Sequence, residues 1–316
     1  MHYRVRHTTT YDYEAPVLHG RHIAHQRPRA TERQLVKSTL LHVDPTPAWS
    51  RAGRDYFGNQ TDEFELLVSH DQLIVETASL IEVRPPHADA DTLIPRQSWE
   101  ELRDRVDSDA GCLPQRHFKY DSPLIRRHPM LVALGERIFT KGRSLYEAIQ
   151  HLNRHIFEEF RYEPLSTDVS TPLAQVLREK RGVCQDFAHV AVGALRSLGL
   201  PARYVSGYLE TKPPAGKPRL VGADASHAWA SVFFPDHGWL DFDPTNNLLP
   251  GERHVTVAWG RDFSDVSPLK GVVLGGGRHG VKVGVDVEPL PAQDKLLEST
   301  PGSTTPSYPP PPVRSV

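Results

Sequence analysis

One of only two cysteines in the 316-residue chain stands where a helical pattern begins. Cys184 follows Gly182 and Val183 in the stretch RGVCQDFA. Apolar residues then recur at helical spacing from Phe187 to Leu198. A cysteine attacks carbonyl carbon as the thiolate, whereas a free thiol with a pKa of ~8.5 is mostly protonated at neutral pH. Because the N-terminus of a helix favours an anion, this position suits a nucleophile, although it also suits a small buried residue.

The two residue types that would activate such a thiol occur downstream on predicted strands. His227 lies in SHAWASVFF, and Asp243 lies in GWLDFDPT. An imidazole can take the thiol proton and later return it to a leaving amine. A carboxylate on the other ring nitrogen fixes the tautomer and stabilises the imidazolium. The chain therefore offers a nucleophile, a base and an orienting carboxylate in sequence order.

The strand pattern predicts which register would bring the histidine and the aspartate together. If Phe233 pairs with Trp239, then Trp229 lies opposite Asp243, and His227 is diagonal to Asp243 on the same face. Such diagonal neighbours are roughly 7–8 Å apart at Cα, within reach of a histidine–carboxylate hydrogen bond. Pairing of Trp239 with Phe234 would place the two side chains on opposite faces. Asp241 shares the face of Asp243, so parity does not choose between them.

Three neighbours of these residues have simpler interpretations. Asp186, two residues after Cys184, would oppose thiolate formation, so we expect it to support the scaffold or to bind a nearby backbone group. We expect the Asp241 carboxylate to be solvated or to support a turn. Trp229 shares a face with His227, and we expect it either to form a wall of a substrate groove or to belong to the core.

The elements that must position these residues divide into two structured regions. Alternating runs from Tyr3 to Val83, separated by turns, predict an antiparallel β-sandwich over residues 1–86. Residues 87–290 are assigned to the catalytic domain, with short helices and loops over 87–145, helices over 144–162 and 184–198, and strands after residue 201. Ser170 or Thr171 is the predicted cap of a further helix. The Pro-, Ser- and Thr-rich residues 291–316 are expected to be a disordered tail.

Several stretches together resemble the bacterial transglutaminase-like superfamily. GVCQDFA, SHAW and GWLDFDPTN carry the resemblance in the core, and YRVRHTTTYDYEAPV, RDYFGN and GRDFSDVSPLKGV carry it in the flanking regions, over about residues 1–285. The resemblance implies a papain-like core with Cys184 as nucleophile, His227 as general base and acid, and Asp243, the aspartate of DPT, as orienting residue. It also implies an oxyanion hole to which the Cys184 N–H contributes.

These features predict a cysteine-dependent enzyme with an N-terminal β-sandwich and a papain-like α+β core. Such an enzyme would form a thioester with a peptide or protein amide and pass the acyl group to water or to an amine, as a peptidase, amidase or transglutaminase. The alternative is a binding or scaffolding protein that holds peptides without turnover. The residue types of the triad do not indicate whether water or an amine accepts the acyl group.

Composition limits the partners. A net charge of −2 gives no electrostatic reason to expect nucleic acid or an anionic membrane, and no apolar run reaches the ~18 residues of a membrane span. We expect a cytoplasmic protein without metal or cofactor, because no signal segment, disulfide framework or calcium loop is recognisable. The basic run HGRHIAHQRPR lacks the spacing of a zinc site; it suits a solvated strand edge or, alternatively, an anion site.

Overall fold

The protein is described by a computed structural model that covers residues 1–85, 97–164, 166–211 and 225–291. Its element content confirms the predicted α+β class. The strands are β1 to β13: His2–Ala24, Gln34–Asp44, Trp49–Arg54, Gln60–Leu66, His70–Val83, Arg161–Tyr162, Arg181–Gly182, Ala202–Leu209, Ala225–Phe234, Gly238–Phe242, His254–Gly260, Leu269–Gly275 and His279–Pro289. The helices are α1 to α6: Trp99–Ser108, Pro129–Ile138, Leu145–Glu159, Leu173–Glu179, Cys184–Ser197 and Phe263–Val266. A 3₁₀ helix covers Ala110–Lys119.

The N-terminal region is a curled antiparallel sheet organised around the long strand β1. The first part of β1, from Tyr3 to Tyr13, pairs with β13 on one side and β5 on the other. After an irregularity between Asp12 and Val17, the second part pairs with β4 and β12. The two parts enclose an apolar cluster that includes Phe64, Leu73 and Leu269. These pairings form one seven-stranded sheet that curls around the cluster, which gives the region its sandwich-like core.

Strands from the end of the described chain complete this sheet. Residues 269–289, which the sequence assigned to the catalytic domain, form β12 and β13 and hydrogen-bond to β1. The predicted boundary at residue 86 and the tail beyond residue 291 lie outside the described residues.

The second sheet is antiparallel and has four strands in the order β10–β9–β8–β11. Trp239 pairs with Phe233, so the register predicted from parity is confirmed. Helix α5 packs on this sheet through a fully buried face, and Phe187, Ala191 and Leu195 belong to its apolar core. Helix α5 begins at Cys184, as the sequence predicts.

The two sheets are packed together and hydrogen-bonded. A second apolar cluster joins residues of β1, β5 and β13 to residues of β8 and β11. Tyr3 Oη donates to Glu210 Oε2 at 2.9 Å, and His7 Nδ1 lies 2.8 Å from Tyr208 Oη. Asn59 accepts from the Trp259 N–H at 2.9 Å and donates to the Trp259 carbonyl at 2.8 Å. The N-terminal sheet is thus fixed to β8 and β11 of the four-stranded sheet, in which β9 carries His227.

Two local predictions are wrong. Helix α4 begins after Pro172 without a side-chain cap, because Ser170 and Thr171 form hydrogen bonds with Asp168 in the preceding turn. The basic run HGRHIAHQRPR is not a strand edge, since its strand portion lies between β4 and β12. The edge prediction failed because the partner β12 comes from more than 240 residues later in the chain.

Among the residues that the structure describes, no helix combines the length and the hydropathy needed to cross a bilayer.

Gly207 of β8 leaves no room for a side chain, because the Val255 carbonyl and the Trp229 ring lie close to its Cα. A Cβ at this position would lie 2.2 Å from the Val255 carbonyl oxygen and 2.4 Å from the Trp229 ring. We expect Gly207→Ala to lower the free energy of unfolding by roughly 1–3 kcal/mol, the usual cost of overpacking. Urea denaturation measures this change, and Gly280→Ala is the control because a Cβ there meets no atom within 4 Å. Equal stability of the two variants would contradict the close contact.

Candidate active site

The start of helix α5 is held by Asp186. Its Oδ2 accepts from the Val183 N–H at 2.8 Å and from Thr167 Oγ1 at 2.6 Å. A Cβ on Gly182 would lie 2.5 Å from the same oxygen, so glycine leaves room for this carboxylate. Burial raises the pKa of Asp186, while these two hydrogen bonds oppose the rise. Binding of a neighbouring backbone group by Asp186 is therefore confirmed.

Cys184 is the first residue of α5 and is only half-buried. It packs against a buried cluster that contains Ala188 and Tyr204 of the helix and the sheet. Its thiol is in hydrogen-bonding contact with the His227 side chain. Cys112, the other cysteine, is also a free thiol but is buried at 4% exposure. The interpretation of Cys184 as a purely apolar core residue does not account for its contact with a charged imidazole.

His227 lies between this thiol and a buried carboxylate. Its Nε2 is 2.7 Å from Asp243 Oδ2, which leaves Nδ1 as the ring nitrogen for Cys184. Because an ionised carboxylate only accepts hydrogen bonds, Nε2 carries a proton. The structure thus brings Cys184, His227 and Asp243 together in one connected group.

Asp243 is fully buried at 0% exposure, and its carboxylate is saturated with donors. Oδ2 accepts from His227 Nε2, from Asn246 Nδ2 at 2.7 Å and from His254 Nε2 at 3.2 Å. Oδ1 accepts from the backbone N–H groups of Thr245 at 2.9 Å and Asn246 at 3.2 Å. These five hydrogen bonds replace the water that a buried charge loses.

The two partners hold each other in their charged forms. Burial by itself raises the pKa of Asp243, but the hydrogen bonds from His227, His254 and Asn246 outweigh it and hold that pKa well below its usual range. Burial lowers the pKa of His227, but the bonds to Asp243 and Cys184 outweigh it and raise that pKa to about 10. A protonated His227 beside Cys184 follows at neutral pH.

Two residues of this network were missed from the sequence. His254 begins β11 and Asn246 lies in the turn after β10. The polar DPTNN turn was a signal for Asn246, because Asx residues often bind nearby groups in turns. No comparable signal marked His254, because its contact with Asp243 depends on the order of the strands in the sheet and not on local spacing in the sequence.

Trp229 and Asp241 form a pair behind the histidine. Trp229 is fully buried, with its Nε1 donating to Asp241 Oδ2 at 3.1 Å. Its ring centroid lies 6.1 Å from that of His227 and 5.4 Å from that of His254. In this position the ring supports two histidines from the interior and presents no surface to a groove.

Within the described ranges, one set of three side chains has potential metal ligands within 4.8 Å of one another: His227, Asp243 and His254. Both histidine Nε2 atoms face the same carboxylate oxygen at hydrogen-bond distances. A hydrogen-bond network accounts for this cluster as it stands.

Two buried histidines in different surroundings provide a test of the electrostatics. We expect His227 to be doubly protonated at pH 8 and to titrate near pH 10, whereas burial lowers the pKa of His7 to about 4 and keeps it neutral. Because the His227 pKa exceeds its ordinary value of 6.5, its contribution to stability is complete below about pH 6.5 and is lost as the pH rises through about 10.

Imidazole nitrogen chemical shifts followed by NMR, from below the His7 pKa of about 4 to above the His227 pKa of about 10, measure both values. Asp243→Asn should lower the pKa of His227 and leave His7 unchanged. A neutral His227 at pH 8 in the unmodified protein would contradict the charge assignment.

Comparison with known proteins places this geometry in a family. Residues 132–244 match the transglutaminase-like superfamily, and residues 3–82 match the bacterial transglutaminase-like N-terminal region. An uncharacterized protein of Mycobacterium tuberculosis is 38% identical over 297 residues, which cover 91% of this chain and 93% of that protein. A protein-glutamine gamma-glutamyltransferase of Pseudomonas aeruginosa is 30% identical over 131 residues, which cover 39% of this chain and 19% of that protein.

A solved structure shows a similar fold over nearly the whole length. The crystal structure of a candidate cysteine protease from Cytophaga hutchinsonii covers 92% of both chains with a TM-score of 0.70 and 20% identity. The sequence matches and this shared fold agree with the resemblance seen in GVCQDFA, SHAW and DPT. The chain belongs to the transglutaminase-like superfamily and carries its bacterial N-terminal region.

Proposed function

We propose that this protein is a cysteine-dependent enzyme that attacks an amide bond of a peptide or protein and forms a thioester on Cys184. The observation that carries the proposal is the position of His227, which contacts the Cys184 thiol and binds the buried Asp243 carboxylate at 2.7 Å. Acyl transfer requires a nucleophile that contacts a base, and a base that is hydrogen-bonded to an orienting group.

The first step is formation of the nucleophile. This proton transfer precedes substrate binding: the Cys184 proton already resides on Nδ1 of His227 at neutral pH, and Asp243 stabilises this imidazolium through Nε2. The positive ring and the N-terminus of α5 both stabilise the neighbouring thiolate. Since Cys184 is half-exposed while His227 and Asp243 are buried, the sulfur is the member of the group that substrate can reach.

The next steps transfer the acyl group. The thiolate adds to the amide carbon, and the negative charge goes to the carbonyl oxygen. The Cys184 N–H, at the first position of the helix, has no intrahelical acceptor and can donate to this oxygen. The C–N bond then breaks, and the His227 imidazolium gives its proton to the leaving nitrogen. Water or an amine attacks the thioester while His227 takes its proton, and the sulfur leaves as the thiolate.

A glutamine side-chain amide is the acyl donor that we test first. The relative from Pseudomonas aeruginosa is named a protein-glutamine gamma-glutamyltransferase, and its similarity covers 39% of the present chain. The triad chemistry is the same for transfer to an amine and for hydrolysis, because both acceptors attack the same thioester. We place the reaction in the cytoplasm, where both thiols would stay reduced, with a peptide or protein as partner and without nucleic acid or membrane.

Selective alkylation tests the nucleophile. We expect iodoacetamide to modify Cys184 at least about tenfold faster than Cys112 at pH 7, because burial raises the pKa of the Cys112 thiol and shields it. Peptide mass spectrometry over a time course measures both rates. In His227→Ala the rate at Cys184 should fall toward that of Cys112. Equally slow labelling of both cysteines would disprove an activated thiol and favour a binding protein.

Turnover assays with a glutamine-peptide library and a primary amine test the reaction. Cys184→Ala and His227→Ala should each lower kcat/KM by about 10³-fold or more. Asp243→Asn should lower it as well, because the amide cannot stabilise the imidazolium as the carboxylate does. Thermal melting of each variant serves as the folding control.

Mass spectrometry of the products identifies the acceptor. Amine adducts indicate transfer, whereas deamidated or cleaved peptides indicate hydrolysis. Full activity of folded His227→Ala would overturn the role given to that residue, and products that persist in Cys184→Ala would overturn the thioester route.

A further inference from the structure

A cavity of about 920 Å³ lies between the N-terminal sheet and the four-stranded sheet. Arg29, Arg33 and Phe57 line it from the N-terminal side, and Arg203 and Trp239 line it from the other side. Its volume is within the range of small-molecule sites. Cys184 and His227 do not line it, so the cavity lies apart from the thiol and the imidazole, and His254 borders both the cavity and the Asp243 network.

Arg203 is a buried cation with an unused donor. Its exposure is 7%, and its guanidinium stacks 3.7 Å from the Trp259 ring and 4.3 Å from the Trp239 ring. Among the described residues, Nε has no hydrogen-bond partner. Asp241 Oδ1, itself buried without a hydrogen-bond partner in the described part of the chain, is 3.9 Å from Nη2, beyond hydrogen-bond distance, and so does not satisfy Nε. A buried guanidinium normally has its donors satisfied, so this side chain indicates a missing acceptor in the cavity.

Two more arginines add positive charge to the same space. Arg29 lies 3.6 Å from the Trp259 ring and donates through Nη1 to Phe57 O and Asn59 Oδ1. Arg33 donates to backbone carbonyls, including that of Pro250 at 3.2 Å, and the Asp241 and Glu252 carboxylates attract it without a hydrogen bond. Burial lowers the pKa of Arg203 to about 9 and that of Arg29 to about 10, the effect of positive charge held away from water.

The carboxylates at the cavity do not balance these charges. Of the side chains that the structure describes, two carboxylates, Asp241 and the exposed Glu32, line the cavity with the three arginines, and Asp241 attracts both Arg203 and Arg33. The remaining walls include Phe57, Phe118 and Trp259. A space with excess buried positive charge and aromatic walls suits an anionic group attached to an apolar body.

We propose that this cavity binds a small organic anion, a carboxylate or phosphate that carries an apolar or aromatic group. The anion accepts from Arg203 Nε and lies near Arg29, and its apolar body packs among the aromatic side chains. The site needs both sheets, which gives the N-terminal region a role in ligand binding. His254 lines the cavity and also binds Asp243 at 3.2 Å, so a ligand there adjoins the catalytic carboxylate.

Calorimetric titration of the full-length Cys184→Ala protein tests the proposal without interference from turnover. The probes are benzoate, phenyl phosphate and neutral benzyl alcohol. We expect saturable binding of at least one anion, at least about tenfold tighter than benzyl alcohol, because the charge-assisted hydrogen bond is lost with the neutral probe. The tighter of the two anions identifies the preferred group. No saturable anion binding, or equal binding of benzyl alcohol, would overturn the proposal.

Paired variants locate the binding. Gly251 lines the cavity, and a Cβ there meets no atom within 4 Å, so Gly251→Phe should fill the space and abolish binding without disturbing the fold. Gly280→Phe, on the outer strand β13, is the matched control and should bind normally.

Arg203→Met should weaken anion binding at least about tenfold, whereas Arg51→Met should not. Arg51 also lies near a tryptophan, Trp49, but is 62% exposed and away from the cavity. Unchanged affinity in folded Gly251→Phe would refute the assignment of the site, even if Arg203→Met does not fold.

Discussion

The charge of Asp243 is the constraint on which the site depends. A fully buried carboxylate costs several kcal/mol unless donors replace its lost water. Here the donors come from β9, from the turn after β10 and from β11. Strand order, register and turn must therefore all be correct for the charge to be tolerated. The same charge fixes His227 beside Cys184, so the folding requirement and the geometry of the candidate active site are satisfied by one set of contacts.

The helix supplies the other half of this arrangement. Asp186 fixes the first turn of α5 by binding the Val183 N–H, and Gly182 leaves space for it. This carboxylate is turned to the backbone and to Thr167, so its charge is engaged in hydrogen bonds near the thiol. The apolar face of α5, which includes Phe187 and Leu195, fixes the helix on the sheet. Cys184 stays half-exposed at the end of an otherwise buried helix.

The N-terminal region is part of the same structural unit. Its sheet packs on β8 and β11 through an apolar cluster and through hydrogen bonds from Tyr3, His7 and Asn59. Trp259 of β11 is held by Asn59 on its backbone and by Arg29 and Arg203 on its ring. The four-stranded sheet that carries His227 is thus fixed from behind by a second sheet, and three arginines line the space between the two sheets.

The sequence by itself determined the local features, namely the start of helix α5 at Cys184 and the strand faces, whereas the pairing of Trp239 with Phe233 is predicted because it would bring His227 and Asp243 to one face. The local features follow from periodicity, because side chains alternate along a strand and repeat every 3.6 residues along a helix. Only the tertiary structure decided that His254 and Asn246 join Asp243, that β12 and β13 pair with β1, and that Trp229 lies in the interior. Those outcomes depend on which distant segments become neighbours. Periodicity predicts that a residue is buried, but it does not identify the distant residue that it contacts.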